Sequence, residues 1–308
     1  MSATAQPRWK PGRPIEIIAG TPPGGGQDRA ARAIAAALEE ALDVQVSVSN
    51  TPGRGGGNAW DRLATHRGDQ HIVSISSATL VTNRLTGVAD LAYDDLSQLA
   101  LLCTEFIAFA VPAESQLVSP FDLLEVLSAP NPPAVSLAVA RGNVNHIALS
   151  FLCRHVGVNP RDVEVRVFDS ARHAIADSLE RANGIAAVSA ASLLPEIETG
   201  SLRLLAMSAP HRLGHPFRDI STWTELGVDC SIGTWRGLVG PPSLSEESLQ
   251  LWDHTIGAAV ATLSWQRSLS NHNWIDSYLS RAETRRFMQD EERHMQDGLG
   301  SLGLLTSD

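Results

Sequence analysis

The stretch Gly20-Thr-Pro-Pro-Gly-Gly-Gly-Gln-Asp28 stands between a mostly apolar run, Ile15 to Ala19, and an Ala-rich helical pattern that starts near Arg29. A strand that passes through glycines into a helix specifies a β-loop-α unit. Its loop aims several backbone N–H groups at one point, where the helix dipole adds partial positive charge, and the local product is a cradle for an anion. No Gly-Lys-Ser/Thr follows the glycines, and Pro22 and Pro23 stand where a dinucleotide fingerprint needs flexible, close-approaching backbone. Phosphate is therefore not the first ligand indicated. Read alone, the glycines of this loop serve equally well as a tight turn.

The strand-loop-helix order repeats. A strand at 44–48 is followed by Thr51-Pro-Gly-Arg-Gly-Gly-Gly57, a helix near 58–65 and a strand at 72–76, a βαβα rhythm that predicts an α/β domain with a largely parallel sheet. Two adjacent strands, 99–103 and 106–111, come next. A second α/β series then has strands at 135–139, 163–167, 185–189 and 202–207, and helices near 120–128, 146–156, 171–181 and 191–199. A return strand at 235–239 precedes a capping-box start, Ser243-Leu-Ser-Glu246, for a helix to about Thr262. A chain that leaves one α/β series, builds a second and comes back predicts two lobes. The boundaries are 12–111 plus 236–308 for lobe 1, 112–235 for lobe 2, and 1–11 for an N-terminal tail. The C-terminal helices, 245–302, are expected on lobe 1, and a ligand cleft is expected between the lobes.

Net charge narrows the ligand. A chain of 308 residues carrying a formal charge of −10 lacks the basic surface that nucleic acid or an anionic membrane requires. A small anion still fits, because a pocket responds to local dipoles rather than to total charge. No apolar run approaches the ~20 residues of a bilayer span, so no direct membrane insertion is expected. Lys10 is the only lysine and lies in the tail, which nearly excludes Schiff-base chemistry; the other basic residues are arginines, suited to bidentate carboxylate clamps. Cys103, Cys153 and Cys230 form no C-x-x-C pair and no disulfide framework, and they leave the compartment open. Met-Ser-Ala-Thr-Ala-Gln-Pro at the start has no basic region or apolar core of an export signal, although Ala3-Thr4-Ala5 resembles the small-residue end of a cleavage site. The expectation is a periplasmic protein if a leader was removed and a cytoplasmic one if Met1 is the native start.

The second lobe has its own anion loop, Ala140-Arg-Gly-Asn-Val-Asn-His146, with Gly142 for a sharp turn, Asn145 as the expected N-cap and His146 as a further donor. Two such loops on opposite lobes suit the two ends of a polyanion. Other strand ends supply Ser76, Ser77 and Thr79, then Asp169 and Ser170, then Ser189 and Ser192, at the edge where ligands lie in open α/β sheets. Each is also an ordinary turn or cap residue. Catalytic motifs are sparse: no G-x-S-x-G, H-E-x-x-H or Walker sequence occurs. His211 and His215 have metal-like spacing, but Pro210, Gly214 and Pro216 oppose a helix there. Asp28 reads either as a base or, at a helix start, as a partner of the dipole. No metal and no cofactor are called for.

These segments together resemble the substrate-binding receptors of tripartite tricarboxylate transporters, the Bug or TctC type. The resemblance runs from about Arg13 to the C-terminal helix. It is carried by Pro14-Ile-Glu-Ile-Ile18, Gly24-Gly-Gly-Gln-Asp28 with Ala31-Arg32, Val46 to Gly53 with Gly55 to Gly57, Gly68-Asp69, 109–112, the loop through His146, Gly200 to Ala206, and Trp235-Arg-Gly-Leu-Val-Gly-Pro-Pro242. It implies a two-lobed α/β fold of the periplasmic-binding-protein kind that closes on a di- or tricarboxylate and delivers it to membrane transport subunits. Carried over residue by residue, the ligand contacts are Thr21, Pro22, Gly24, Gly25, Gly26, Asp28 and Ser77, with Arg141, Gly142, Asn143, Asn145, His146, Asp169, Ser170 and Ser189. Two departures stand out. Arg141, Asn143 and Val144 interrupt the family's glycine-rich second loop, and Ser170-Ala-Arg172 replaces its usual Gly-Gly. Arg141 or Arg172 then either adds a carboxylate clamp or points to solvent.

The favoured expectation is a binding protein without catalysis. The alternative is a cytoplasmic descendant that acts as a regulator or as an enzyme, with Asp28 and His146 moving a proton beside a carboxylate. A partner-recruiting module has no support beyond the two-lobe pattern.

Overall fold

The computed structural model describes residues 11–42, 44–138, 140–168 and 170–306. The chain divides into two compact units, Met1–Cys103 with Trp235–Asp290, and Thr104–Thr234 with Glu291–Asp308. In chain order it forms β1 (Ile15–Ala19), α1 (Gly26–Leu42), β2 (Val46–Asn50), α2 (Gly57–Ala64), β3 (Ile72–Ser77), α3 (Thr79–Leu85) and β4 (Ser97–Pro112). Then come α4 (Pro120–Leu127), β5 (Val135–Ala138), α5 (Val144–His155), β6 (Val165–Phe168), α6 (Ala171–Leu179), β7 (Ile185–Ser189), α7 (Leu194–Glu198) and β8 (Leu202–Met207). The return is β9 (Gly233–Gly240), α8 (Glu246–Val260), α9 (Leu263–His272), β10 (Ile275–Leu279) and α10 (Arg281–Leu302).

In the first unit the strand order is β2-β1-β3-β9-β4, with β10 also on β4. β1 runs parallel to β2 and β3, whereas β9 is antiparallel to β3 and places Arg236 opposite Ser77. Neighbouring residues of β1 face opposite sides of the sheet, as a strand's twofold period requires. Ile15, Ile17 and Ala19 pack with α1, Trp252 and Trp265, while Ile18 packs with Trp60, Leu63 and Leu80. Both faces are covered, which explains why β1 reads as an almost continuous apolar run. Ile34 and Leu38 of α1 are fully buried, each contributing about 1.5–3 kcal/mol through burial.

In the second unit β5 lies between β6 and β7, parallel to both, and β4 pairs antiparallel with β7 and β8. Ala138, Val188, Ala174 and Ile175 share one core with Met207 and Phe217. Both sheets are thus mixed, not largely parallel. The antiparallel members are the return strand and the one long strand β4, which replaces the two strands expected at 99–103 and 106–111. No Gly or Pro lies between Leu99 and Val111 to break it.

Three helix ends differ from expectation. Asn143, not Asn145, caps α5: its backbone is extended and its Oδ1 accepts the His146 N–H at 3.2 Å, while Asn145 lies inside the helix. Ser245, not Ser243, caps α8, because Ser243 sits at φ 63°, outside the extended region an N-cap needs. The second half of α10 belongs to the second unit, where His294 meets Phe151 at 6.1 Å between ring centres and Asp297 pairs with Arg154, although the sequence assigned all the C-terminal helices to lobe 1. His211 and His215 lie in a loop, as their prolines and glycine predict.

Candidate ligand-binding loops

In the first unit the ends of β1, β2 and β3 meet at the start of α1, and Gln27 joins them. Its Oε1 accepts the Gly20 N–H at 2.9 Å, and its Nε2 faces the Gly55 carbonyl at 3.5 Å and the Ser77 hydroxyl at 3.3 Å. Gln27 is 4% exposed, so these polar groups would lack solvent as a substitute partner. The Thr79 hydroxyl donates to the Gly55 carbonyl at 2.6 Å and lies 2.8 Å from the Ser77 hydroxyl, closing the network. Gly56 lets its loop approach Gly20 and Gln27 closely. It has φ +109°, and a Cβ there would come within 2.7 Å of Gln27 Nε2 and 2.9 Å of the Trp60 ring.

Asp28 locks the same loop. Its carboxylate accepts from Gly24 N at 2.8 Å, from Arg32 at 2.9 and 3.0 Å, and from Asn50 Nδ2 at 2.8 Å, and its own N–H donates to Thr21 Oγ1 at 3.1 Å. Burial acts to raise its pKa, but the hydrogen bonds from Arg32, Asn50 and Gly24, with the Arg32 charge, outweigh it and hold the carboxyl below its ordinary range. A carboxylate so stabilised is a poor proton acceptor at neutral pH. What the loop leaves for a ligand is backbone: among the described residues no acceptor takes the N–H groups of Gly26 or Gln27 at the first turn of α1. Pro22 lies exposed at the loop's rim, with its carbonyl taken by Gly25 N at 2.9 Å.

The second unit repeats the plan with different parts. Gly142, at φ +76°, turns the chain into α5, and a Cβ there would approach Leu304 and Leu299 at 3.1 and 3.2 Å. Its N–H donates to His146 Nδ1 at 3.1 Å, so the neutral imidazole carries its proton on Nε2. Burial, aided by the Arg141 charge, lowers the His146 pKa to about 4. Among the described residues the N–H groups of Val144 and Asn145 have no acceptor. Ser170 caps α6, accepting from His173 N at 3.3 Å. The Ser189 hydroxyl, at the end of β7, is buried with no hydrogen-bond partner among the described residues, an arrangement that costs free energy unless something else fills the role.

Thr21, Pro22, Gly24, Gly25, Gly26, Asp28 and Ser77 therefore cluster in the first unit, and Arg141, Gly142, Asn143, Asn145, His146, Ser170 and Ser189 sit on strand ends and helix starts of the second. Asp169 lies outside the described residues. Asp28 and His146 belong to different units, and neither has the character of a proton-transfer group at neutral pH. Arg141 is exposed and reaches back to the Val165 carbonyl at 3.3 Å; Arg172 is exposed. The sequence does not single out Gln27 and Asn50, although both stand in the glycine-containing loops as uncharged amides at strand or helix ends. Nor does it single out Arg236, which stands one register position across from Ser77.

The model of the family described as "Tripartite tricarboxylate transporter family receptor" matches residues 30–304. Protein BugT of Bordetella pertussis is 25% identical over 288 residues, covering 91% of this chain and 86% of that protein. A crystal structure of a TctC solute-binding protein from Polaromonas superposes with a TM-score of 0.82 at 25% identity, covering 95% of this chain and 99% of that one. An R. palustris protein solved with adipate superposes with a TM-score of 0.80 at 19% identity, covering 95% and 98%. The fold is accordingly an α/β periplasmic-binding-protein fold. No helix of the described residues is long and apolar enough to cross a membrane.

Proposed function

Because the chain belongs to the tripartite tricarboxylate transporter receptor family, we propose that it is a solute-binding receptor that captures a small di- or tricarboxylate and presents it to membrane transport subunits from the periplasm. The observation that carries this reading is that each unit ends its parallel strands in loops opening helices whose first N–H groups have no acceptor among the described residues: Gly26 and Gln27 in one, Val144 and Asn145 in the other. Such a group of donors at the positive end of a helix dipole suits a carboxylate and needs no lysine. The buried, unpaired Ser189 hydroxyl supports a ligand contact in the second unit.

On this reading most of the polar side chains of the first loop hold it rather than touch ligand. Gln27, Asp28 and Asn50 fix the backbone, and the backbone takes the carboxylate. Selection among carboxylates then falls to ligand length and to the side chains at the rim. Adipate, found in the R. palustris structure, heads the natural test set. Thermal denaturation with adipate, shorter dicarboxylates, a tricarboxylate and their neutral amides tests the reading. At least one carboxylate raises the midpoint, in proportion to RT ln(1 + [L]/Kd), and its amide does not. Equal shifts with acids and amides, or none with any acid on folded protein, would sink it.

A further inference from the structure

The receptor reading leaves open what gives the first unit's loop its preference for charge, and on that reading the geometry points to Arg236 as a ligand-contacting, specificity-determining residue for a carboxylate. Arg236 lies within the return strand β9, opposite Ser77, so its position is beside the end of β3. Its side chain is half-buried and extends to the first turn of α1. There Nη2 lies 2.7 Å, and Cζ and Nε each 3.6 Å, from the place a Cβ on Gly26 would occupy. Only the absence of a side chain at Gly26 leaves the guanidinium this seat.

The arrangement runs against helix electrostatics. A cation at the positive end of a helix opposes the dipole, whereas an anion between the two is attracted by both. The N–H groups of Gly26 and Gln27, without an acceptor among the described residues, stand at the same turn. A guanidinium also matches a carboxylate with two coplanar N–H donors and carries a full positive charge, where a helix end supplies only a partial one. The loop thus combines a backbone cradle with one full positive charge, whose Nη1 also donates to the Trp235 carbonyl at 2.9 Å. The cradle favours an anion through the helix dipole, and Arg236 adds the full charge that sets most of the preference for a carboxylate over a neutral amide. The assignment does not require the guanidinium to be idle without ligand, because a carboxylate can join or replace its other contacts.

Titration calorimetry with adipate and its monoamide tests this on the wild type and three variants: Arg236→Gln, Arg236→Lys and Gly26→Ala. Removing a charge-assisted contact should cut adipate affinity about 10- to 100-fold in Arg236→Gln and collapse the acid-over-amide ratio. Lysine keeps the charge without the fork, so Arg236→Lys should fall between. Gly26→Ala should weaken adipate by displacing the guanidinium while holding or raising the melting midpoint, since alanine favours the helix. If Arg236→Gln does not fold, the other two variants decide the matter. Adipate affinity within about threefold of wild type in the variants, or equal weakening of acid and amide with the ratio preserved, overturns the assignment. A folded wild type that binds no carboxylate instead overturns the receptor reading on which the assignment rests.

Discussion

His146 should make this protein lose stability in mild acid, by an amount the structure sets. The imidazole is 5% exposed, and its Nδ1 is occupied by the Gly142 N–H. Burial first, and the Arg141 charge second, lower its pKa from 6.5 to about 4. A lowered histidine pKa means that the unfolded chain binds a proton the folded chain refuses. The favourable contribution is therefore complete above pH 6.5 and is lost as pH falls from there to about 4. With these two values the loss between pH 7 and pH 5 comes to about 2 kcal/mol, at 1.36 kcal/mol per unit once the unfolded histidine is charged. Urea denaturation followed by circular dichroism at pH 7, 6 and 5 measures it. His146→Gln is the control, since a glutamine oxygen can still accept the Gly142 N–H but cannot titrate. Wild type should lose about 2 kcal/mol more than His146→Gln over this interval, and Arg141→Gln should lose less than wild type. Parallel pH curves for wild type and His146→Gln would show that the buried imidazole does not couple folding to pH.

Gln27→Ala strands the buried Gly20 N–H and should cost about 1–3 kcal/mol in urea denaturation, with no compensating gain from added water at so enclosed a site. Gly56→Ala combines φ +109° with close approach to Gln27 and Trp60 and should cost about 1–3 kcal/mol by the same measurement; a neutral substitution would contradict the close packing at Gly56. Asp28, whose folded pKa is lowered, contributes stability above its ordinary pKa that is lost as pH falls through the folded value. Asp28→Asn should therefore destabilise the protein at pH 7 and flatten the loss of stability below about pH 4, read from denaturation midpoints in acid.

The strand-loop-helix units were legible because apolar runs and glycines report local geometry. β1, α1 and the loop between them follow directly from Ile15–Ala19 and Gly24–Gly26. Pairing direction was not legible. Whether β9 or β4 runs parallel to its neighbours depends on partners distant in the chain, so both sheets proved more mixed than the βαβα rhythm suggested. The caps at Asn143 and Ser245 were displaced by two residues because several cap-type residues stand together, and only backbone angles choose among them. Of the site, the loops were visible but their internal wiring was not. Gln27 acts through Gly20, Gly55 and Ser77, and Arg236 through Gly26, contacts that span the chain and leave no local periodic signal.

Titration calorimetry of the folded wild-type chain with di- and tricarboxylates asks whether the backbone cradles serve a carboxylate. Saturable 1:1 binding of at least one of them is expected, with micromolar or tighter affinity, about −8 kcal/mol or better. No heat and no shift in melting midpoint with any carboxylate would contradict it.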